Sequence, residues 1–474
     1  MPICHYCKRE IEPDWNYCHY CNKPLITNVD IELDKRIQQS HDESPFYYSE
    51  VAAEEENYET HAYYDEEIED NLEKIEQELA EKEQMGESIG DLLLKKASLF
   101  YKKRDFESTM KNLELALRNF NQDNDLLNTA ISHNEIGLIH EERGYFEQAI
   151  YSFDSALFIL KQIDDQQKVI QVLNNLGNVY YALKEWEEAY NKYQAALDIS
   201  EKLGYELDSV RTSSNLVEIL FILKDYDRII KILKRNESFF KENENIYGII
   251  QTRIKFGKLY YYYGEVYYDQ SHKFLNEALA LTERIKDQVS IYDKARLEWE
   301  CYLYLGKLNL MWDNDTDAED FFLKSLSTIR TFEIQDHIKE GIVLEDIASF
   351  HALRGEDESA IEYYDFASEI YEKFGDKEKV AELSAKIGKI YNEYVQNKDK
   401  SFEYYQKALN LYENLNSSKQ AAIILERLGD LSMAAQDIES ALDYLERAKL
   451  HYEEIEDISE IELITKKIDS INKV

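Results

Sequence analysis

The sequence has few of the residues that interrupt helices. Its 474 residues include four prolines, the last of which is Pro45, and 15 glycines. Inside a helix, proline loses a hydrogen bond and clashes with the preceding turn, at a cost of roughly 3 kcal/mol. The long proline-free stretch therefore predicts a nearly all-helical body and argues against sheet-rich or Rossmann-type domains. The length exceeds the ~100–200 residues of one domain, which indicates several domains or a repeat.

Basic charge and long apolar runs are also lacking. The chain has 55 Lys+Arg against 95 Asp+Glu, a formal net charge of −40. Because nucleic-acid binding requires a basic surface, no nucleic-acid partner is expected. No apolar run approaches the ~20 residues that cross a bilayer, and the opening MPICHYCKRE lacks the apolar core of a signal peptide. We therefore expect no membrane partner and a cytoplasmic location.

Four of the five cysteines form two CxxC pairs near the N-terminus. Cys4 and Cys7 form one pair, and Cys18 and Cys21 form the other. In a reducing compartment such pairs favour a metal over disulfides. Four thiolates complete the tetrahedral shell of Zn²⁺ and leave no position open for a reacting water. Residues 1–29 are therefore predicted to hold structural zinc.

This segment resembles the short zinc-ribbon modules of many prokaryotic proteins. The matching stretches are CHYCK at 4–8, EPD at 12–14 and YCHYCNKPL at 17–25. The modules usually carry glycine after each second cysteine, where this chain has Lys8 and Asn22. Haem attachment and redox chemistry are weaker alternatives, because no histidine follows either pair and no α/β pattern surrounds them. The fifth cysteine, Cys301, lies in a helical apolar pattern and is predicted to be a buried core thiol.

An acidic tether follows the ribbon. Residues 30–87 contain 21 acidic and four basic side chains, so much of the stretch is predicted to be disordered. Apolar residues recur at helical spacing near its end, at Ile68, Leu72, Ile75 and Leu79. This stripe predicts a leader helix over 65–84. The helix would pack on the first repeat or dock elsewhere on the protein, and the sequence leaves both alternatives open.

The rest of the chain repeats about every forty residues. Each unit has one recurring small-residue position in a first helix and two in a second helix. The first-helix position holds Ala97, Gly137, Gly177, Val217, Gly257, Gly306, Ala348, Gly388 and Gly429. The second helix begins its pattern at Thr109, Ala149, Ala189, Ile229, Ser271, Ala318, Ala360, Ser401 and Ala441. Seven residues later stand Ala116, Ala156, Ala196, Asn236, Ala278, Ser325, Ala367, Ala408 and Ala448. Small residues let paired helices approach, and each pair leaves an apolar face for the next pair to cover.

The pattern resembles the tetratricopeptide repeat, in the long variety of kinesin light chains, Pins-type adaptors and bacterial Rap-type regulators. The resemblance implies an all-α superhelix, an α-solenoid of about nine helix pairs over 88–454, closed by a capping helix over 455–474. The usual repeat has 34 residues and often ends in proline. Here most repeats have 40–42 residues, and links such as Gly375-Asp376 replace the proline.

Two repeats depart from the pattern. The fourth is degenerate, with Val217, Ile229 and Asn236 at its three positions. The spacing from Gly257 to Gly306 is 49 residues, which predicts an insertion. The insertion begins with the four tyrosines at 260–263, and we expect it to bulge from the stack.

Asparagines flank the small position of successive first helices, which in this fold line the concave surface. They are Asn134, Asn174, Asn175, Asn178 and Asn215. The resemblance to kinesin light chains and Pins-type adaptors implies that such a ladder binds the backbone of an extended peptide. The alternative is that the asparagines bond only between neighbouring helices.

Basic residues take over these positions further along the chain. They are Arg211, Lys255, Lys258, Lys307 and Lys389. In one interpretation they attract an acidic peptide or the acidic tether. In the other they neutralise nearby carboxylates.

The functional prediction is a non-enzymatic adaptor or scaffold. It would hold a protein or peptide partner in the concave groove, with the zinc ribbon as an accessory contact. The histidines are scattered over different repeats, and neither an HExxH motif nor a glycine-rich phosphate loop is present. The alternatives are a Rap-like regulator that acts on a response regulator, which rests on repeat length alone, and a zinc-ribbon transcriptional regulator.

Overall fold

The computed structural model describes residues 58–331 and 337–472. These residues form helices joined by short turns, and no strand occurs among them. The chain divides into two compact units between Leu297 and Glu298. The four N-terminal cysteines and residues 30–57 of the tether lie outside the described residues.

The first unit contains a leader helix and five helix pairs. In chain order, its helices are α1 (Tyr58–Met85), α2 (Gly90–Lys102), α3 (Phe106–Asp123), α4 (Leu126–Glu142), α5 (Phe146–Gln162), α6 (Gln166–Ala182), α7 (Trp186–Leu203), α8 (Glu206–Ile222), α9 (Tyr226–Glu242), α10 (Ile246–Tyr263) and α11 (Tyr268–Arg284). The even-numbered helices from α2 onward are the first helices of their pairs, and the odd-numbered ones are the second helices.

The second unit continues the same alternation. Its helices are α12 (Ile291–Met311), which crosses the division, α13 (Asp315–Thr331), α14 (His337–Leu353), α15 (Asp357–Lys373), α16 (Lys377–Glu393), α17 (Lys398–Asn414), α18 (Ser418–Ala434), α19 (Ile438–Glu454) and α20 (Ile458–Ile471). The described residues thus contain nine pairs between α1 and α20, and the predicted all-α repeat solenoid is confirmed.

Close approach of paired helices explains the small-residue pattern. Every residue at the three recurring positions is buried. A Cβ added at Gly177 would lie 2.5 Å from the Tyr193 ring, and one at Gly137 would lie 2.6 Å from the Phe153 ring. Only a hydrogen atom fits at these crossings, because an aromatic ring of the second helix packs directly on the first-helix backbone.

The fourth pair replaces small residues by a buried polar cluster. Asn236, where most repeats have alanine, is 1% exposed. Its amide nitrogen donates to the hydroxyls of Ser213 and Ser214 on α8, at 3.1 and 3.2 Å. A larger side chain is therefore accommodated because the facing helix supplies small hydroxyl partners for its polar atoms.

The turns close without proline. In the link before α16, Gly375 adopts a left-handed conformation with φ 78°, and the Asp376 carboxylate accepts a hydrogen bond from the Lys379 amide at 3.2 Å. Non-glycine residues do the same elsewhere, as at Asp164 with φ 58°, where the following Asp165 carboxylate accepts from the Lys168 amide at 3.0 Å. A left-handed residue followed by a capping side chain thus ends one helix and starts the next.

The predicted bulge at the four tyrosines is wrong. Residues 260–263 form the last turn of α10, and their rings pack in a cluster with neighbouring aromatic residues. The Tyr260 ring stacks on Phe274 with centroids 5.6 Å apart, and the Tyr226 ring lies parallel to Tyr262 at 6.4 Å. The extra residues instead form a short 3₁₀ turn, Glu265–Tyr267, and lengthen α12 to 21 residues. Apolar ring area favours packing of the tyrosines over exposure.

The leader helix packs on the first pair. Helix α1 contains the predicted 65–84 segment and buries Ile68 and Leu79. Glu76 contacts Lys96 at 2.8 Å, and Glu69 contacts Lys103 at 3.2 Å. Since the earlier residue of α1 pairs with the later residue of α2, the two helices run antiparallel.

Candidate partner-binding face

Side chains of successive first helices contact one another in series across α4, α6, α8 and α10. The amide of Asn175 donates to Asn134 Oδ1 at 2.9 Å, which joins α6 to α4. The amide of Asn174 donates to Thr212 Oγ1 at 2.8 Å, which joins α6 to α8. Lys255 Nζ donates to the carbonyl oxygen of Ser214 at 2.9 Å, which joins α10 to α8. We call this series of contacts the first-helix ladder.

Three of the five predicted asparagines are engaged in these links. Asn175 is buried, and Asn134 and Asn174 are half-buried. Asn178 is exposed, and its Oδ1 accepts from the Tyr193 hydroxyl at 2.7 Å. The structure therefore shows the interhelical bonds of the second interpretation, and it leaves the amide hydrogens of Asn178 available at the surface.

Arg211 and Asn215 occupy one face of α8, one turn apart. Both side chains are half-buried, and neither side chain forms a hydrogen bond or ion pair within the described residues. The Arg211 charge acts on Asp208, where burial raises the pKa of the carboxyl and Arg211 opposes that rise. A guanidinium and an amide with unused donors thus lie beside the first-helix ladder.

A carboxylate clamps two of the predicted lysines. Glu218 on α8 contacts Lys255 at 2.8 Å and Lys258 at 3.1 Å. Burial opposes ionisation of Glu218, but the two ammonium groups outweigh it and lower the pKa of the carboxyl. The Lys258 ammonium also lies 4.8 Å from the centre of the Phe221 ring.

The predicted lysines of the second unit also have carboxylate neighbours. Lys307 contacts Asp346 at 2.8 Å; burial raises the pKa of that carboxyl, and Lys307 opposes the rise. Lys389 has a side chain 60% exposed and lies 3.7 Å from Glu393. The lysines therefore have the surroundings expected from neutralisation of nearby carboxylates.

Sequence inspection missed Asp346 as a partner of Lys307. A signal was present, because Asp346 stands two residues before Ala348, the position that Asn175 and Lys255 occupy in their own repeats. Comparing flanking positions between adjacent repeats would have revealed the pair.

No group of metal-ligating side chains occurs in the ranges 58–331 and 337–472. The predicted zinc ligands Cys4, Cys7, Cys18 and Cys21 lie outside those ranges. Cys301 is fully buried in α12, as predicted, and burial raises the pKa of its thiol. Among the helices described, none has both the length and the apolar composition needed to cross a membrane.

A small pocket opens beside the first-helix ladder. Its lining includes Asn134, Glu135, Lys168 and Gln171 from α4 and α6. Its volume is about 20 Å³, which holds about one water molecule. A small-molecule cofactor does not fit there.

Two segments of the chain, 168–242 and 340–414, match the family model described as tetratricopeptide repeat. Each unit thus contains one segment that matches this family model. The first segment contains most of α6 together with α7 to α9, and the second contains most of α14 together with α15 to α17. No curated protein matches the chain significantly.

The chain is similar to several solved structures at low identity. The apo form of the quorum sensor NprR from B. thuringiensis is 15% identical over 81% of this chain and 99% of that one, with a TM-score of 0.46. A tetratricopeptide repeat protein from Parabacteroides merdae is 19% identical over 59% and 93%, with a TM-score of 0.43. Aspartyl phosphate phosphatase F from Bacillus subtilis is 15% identical over 72% and 93%, with a TM-score of 0.39.

Proposed function

We propose that this protein is a non-enzymatic adaptor that binds a protein or peptide partner on the first-helix face of its first unit. The observation that carries the proposal is the pair Arg211 and Asn215, which have unused donors and lie between the asparagine and lysine parts of the first-helix ladder. The match of residues 168–242 to the tetratricopeptide repeat supports a role in protein binding.

An extended peptide suits this arrangement. The exposed amide of Asn178 and the amide of Asn215 would bond the peptide backbone, whatever its sequence. Arg211 would bind a carboxylate of the partner, since the guanidinium presents several donors in a fixed plane. The ladder bonds of Asn134, Asn174 and Asn175 would hold the neighbouring helices in register.

Affinity purification with mass spectrometry tests the proposal. We would compare the full chain with an Arg211→Ala/Asn215→Ala variant. Hydrogen bonds to charged groups contribute about 1.5–3 kcal/mol, so we expect captured partners to fall by about tenfold or more. The matched control is Lys161→Ala/Asn191→Ala, which removes one cation and one amide from exposed positions on α5 and α7. An equal partner list for all three proteins would overturn the proposal.

The four N-terminal cysteines would bind one structural zinc ion as the accessory module. Four thiolates at CxxC spacing support this assignment, and the ion would supply folding energy rather than chemistry. Elemental analysis of the purified chain should find one zinc per molecule. Cys4→Ser/Cys18→Ser should lose it, whereas Cys301→Ser should keep it. Zinc retained by the double variant would contradict the assignment.

A further inference from the structure

The second helix of the fourth pair, α9, is unusually basic. It contains five basic and three acidic side chains, whereas every other second helix is neutral or acidic. With the preceding turn it forms a stripe that we call the α9 basic stripe: Lys224, Arg228, Lys231, Lys234, Arg235 and Lys241. In a chain of net charge −40, such a stripe requires an explanation.

The centre of the stripe is not neutralised. Lys231 and Lys234 are exposed, and neither ammonium group forms an ion pair or hydrogen bond within the described part of the chain. Elsewhere on the stripe, Arg235 contacts Glu201, and Lys241 contacts Glu237 at 3.1 Å. The ladder lysines differ from Lys231 and Lys234, because Glu218 and Asp346 already balance them. An acidic ligand therefore has more to gain at the α9 basic stripe than at the ladder.

An apolar edge adjoins the stripe. Leu223 is 54% exposed and Ile222 is 38% exposed, both next to Lys224 in the turn before α9. A ligand that combines carboxylates with aromatic rings would match both parts of this surface.

We propose that the chain's own acidic segment, residues 30–57, docks on the α9 basic stripe. The segment has nine acidic and two basic side chains, and it includes Phe46, Tyr47 and Tyr48. Its carboxylates pair with Lys231 and Lys234, and its rings cover Ile222 and Leu223. One interpretation of the sequence was that the ladder lysines attract the acidic tether or an acidic peptide. We choose α9 because those lysines already form ion pairs.

The path of the chain allows this contact. Because α1 runs antiparallel to α2, its N-terminal end extends beyond the α2–α3 turn, at the same end of the pairs as the α8–α9 turn. The two turns are three repeats apart, which is at most about 60 Å if packed helices are spaced by about 10 Å. A 28-residue segment spans up to about 90 Å when extended. Residues 30–57 therefore reach the stripe within one molecule.

Zero-length carbodiimide cross-linking of the full chain tests the proposal. The reagent joins a carboxylate to an amine only when the two are in contact. We expect cross-links from residues 30–57 to Lys231 and Lys234 at 50 mM NaCl, reduced about fivefold at 500 mM because salt screens exposed charges. Mixing ¹⁵N-labelled and unlabelled protein separates links within one molecule from links between two.

Charge reversal supplies the matched variants. Lys231→Glu/Lys234→Glu should abolish the links, and adding Glu54→Lys/Glu55→Lys/Glu56→Lys should restore them with the two chemical partners exchanged. Lys111→Glu/Lys161→Glu should leave the links unchanged, because both lysines are exposed, on α3 and α5, and form no ion pair with any described residue. Links that form mainly to Lys255 or Lys258, or that join only different molecules, would overturn the proposal.

Discussion

At the scale of single residues, paired helices come close because a glycine at their crossing has only a hydrogen atom in place of a side chain. The Tyr193 ring occupies the space that a side chain at Gly177 would need, so the ring and the backbone are in contact. Alanine normally stabilises a helix interior by up to about 1 kcal/mol relative to glycine. At this crossing the added methyl group would clash with the Tyr193 ring, and the cost of that clash exceeds the gain in helix propensity.

Gly177→Ala should therefore destabilise the first unit by about 1–3 kcal/mol. The added Cβ would lie 2.5 Å from the Tyr193 ring, so the ring or α7 must move. The measurement is the urea midpoint followed by circular dichroism. Gly429→Ala is the control, because its nearest neighbour, Leu445, lies 3.1 Å away at a flexible side-chain end, and its effect should be smaller. A raised midpoint for Gly177→Ala would contradict the packing account.

Asn236→Ala should also destabilise the first unit, although alanine is the commonest residue at this repeat position. The substitution removes the partner of Ser213 and Ser214 and leaves a cavity, at a cost of about 1–3 kcal/mol. Hydrogen exchange of α8 and α9 amides measures the effect locally. The Ser213 and Ser214 hydroxyls still donate to the Val210 carbonyl, at 3.0 and 2.8 Å, so adding Ser213→Ala/Ser214→Ala should recover none of the loss. Full stability of Asn236→Ala alone would show that the cluster contributes nothing.

The recurring small positions could be read from the sequence because one local rule, close helix approach, applies at every pair. The polar cluster at Asn236 could not, because its hydroxyl partners lie 22 and 23 residues earlier on another helix. The packing of Tyr260–Tyr263 was misjudged for a related reason. The number of inserted residues does not indicate which helix or turn contains them.

At the scale of helices, the first-helix ladder couples each repeat to the next through polar contacts. Glu218 is the clearest case, since one carboxylate of α8 holds two lysines of α10. The sequence identified the positions but not the pairing, because that depends on the register between adjacent first helices. A row of lysines on one helix face suggests a positive electrostatic potential, but carboxylates beside those lysines cancel it.

Glu218→Gln should lower stability at pH 7 by about 1–2 kcal/mol, since two charge-assisted bonds are lost. The native pKa of Glu218 is lowered from its ordinary value of 4.5. Its contribution is therefore fully present above that value and is lost as the pH falls below it. Urea midpoints of wild type and variant should thus converge at acidic pH.

The matched control for this effect is Glu393→Gln. Its partner Lys389 is exposed and lies 3.7 Å away on the same helix. Such pairs contribute at most about 0.5 kcal/mol, so little pH-dependent difference is expected. A difference between wild type and Glu218→Gln that stays constant down to pH 3 would refute the assignment.

At the scale of the whole molecule, charge is unevenly distributed. The net −40 includes an acidic tether that precedes the repeats, while α9 carries a net positive charge. The net charge of the whole chain argued against a nucleic-acid partner, but it could not locate the basic surface on α9. That location depends on which lysines lack carboxylate neighbours after folding.

Zinc removal should leave the repeat units intact. The buried apolar residues of the described chain lie between Ile68 and Ile471, and we expect the cores that they form to persist without the metal. Treating the full chain with a strong chelator should release one zinc with no loss of the 222 nm circular dichroism signal. A large fall in that signal would show that the helical body needs the metal.

Because Cys301 is buried, thiol labelling can report separately on the helical body and on the N-terminal cysteines. Its side chain is inaccessible and its raised pKa disfavours the reactive thiolate, so a reagent reaches it only when α12 opens. The rate at which Cys301 is labelled therefore reports the opening equilibrium of that helix. If the four N-terminal cysteines bind zinc as proposed, their labelling depends on metal occupancy instead. One alkylating reagent, followed residue by residue, thus provides two independent measurements from an unmodified chain.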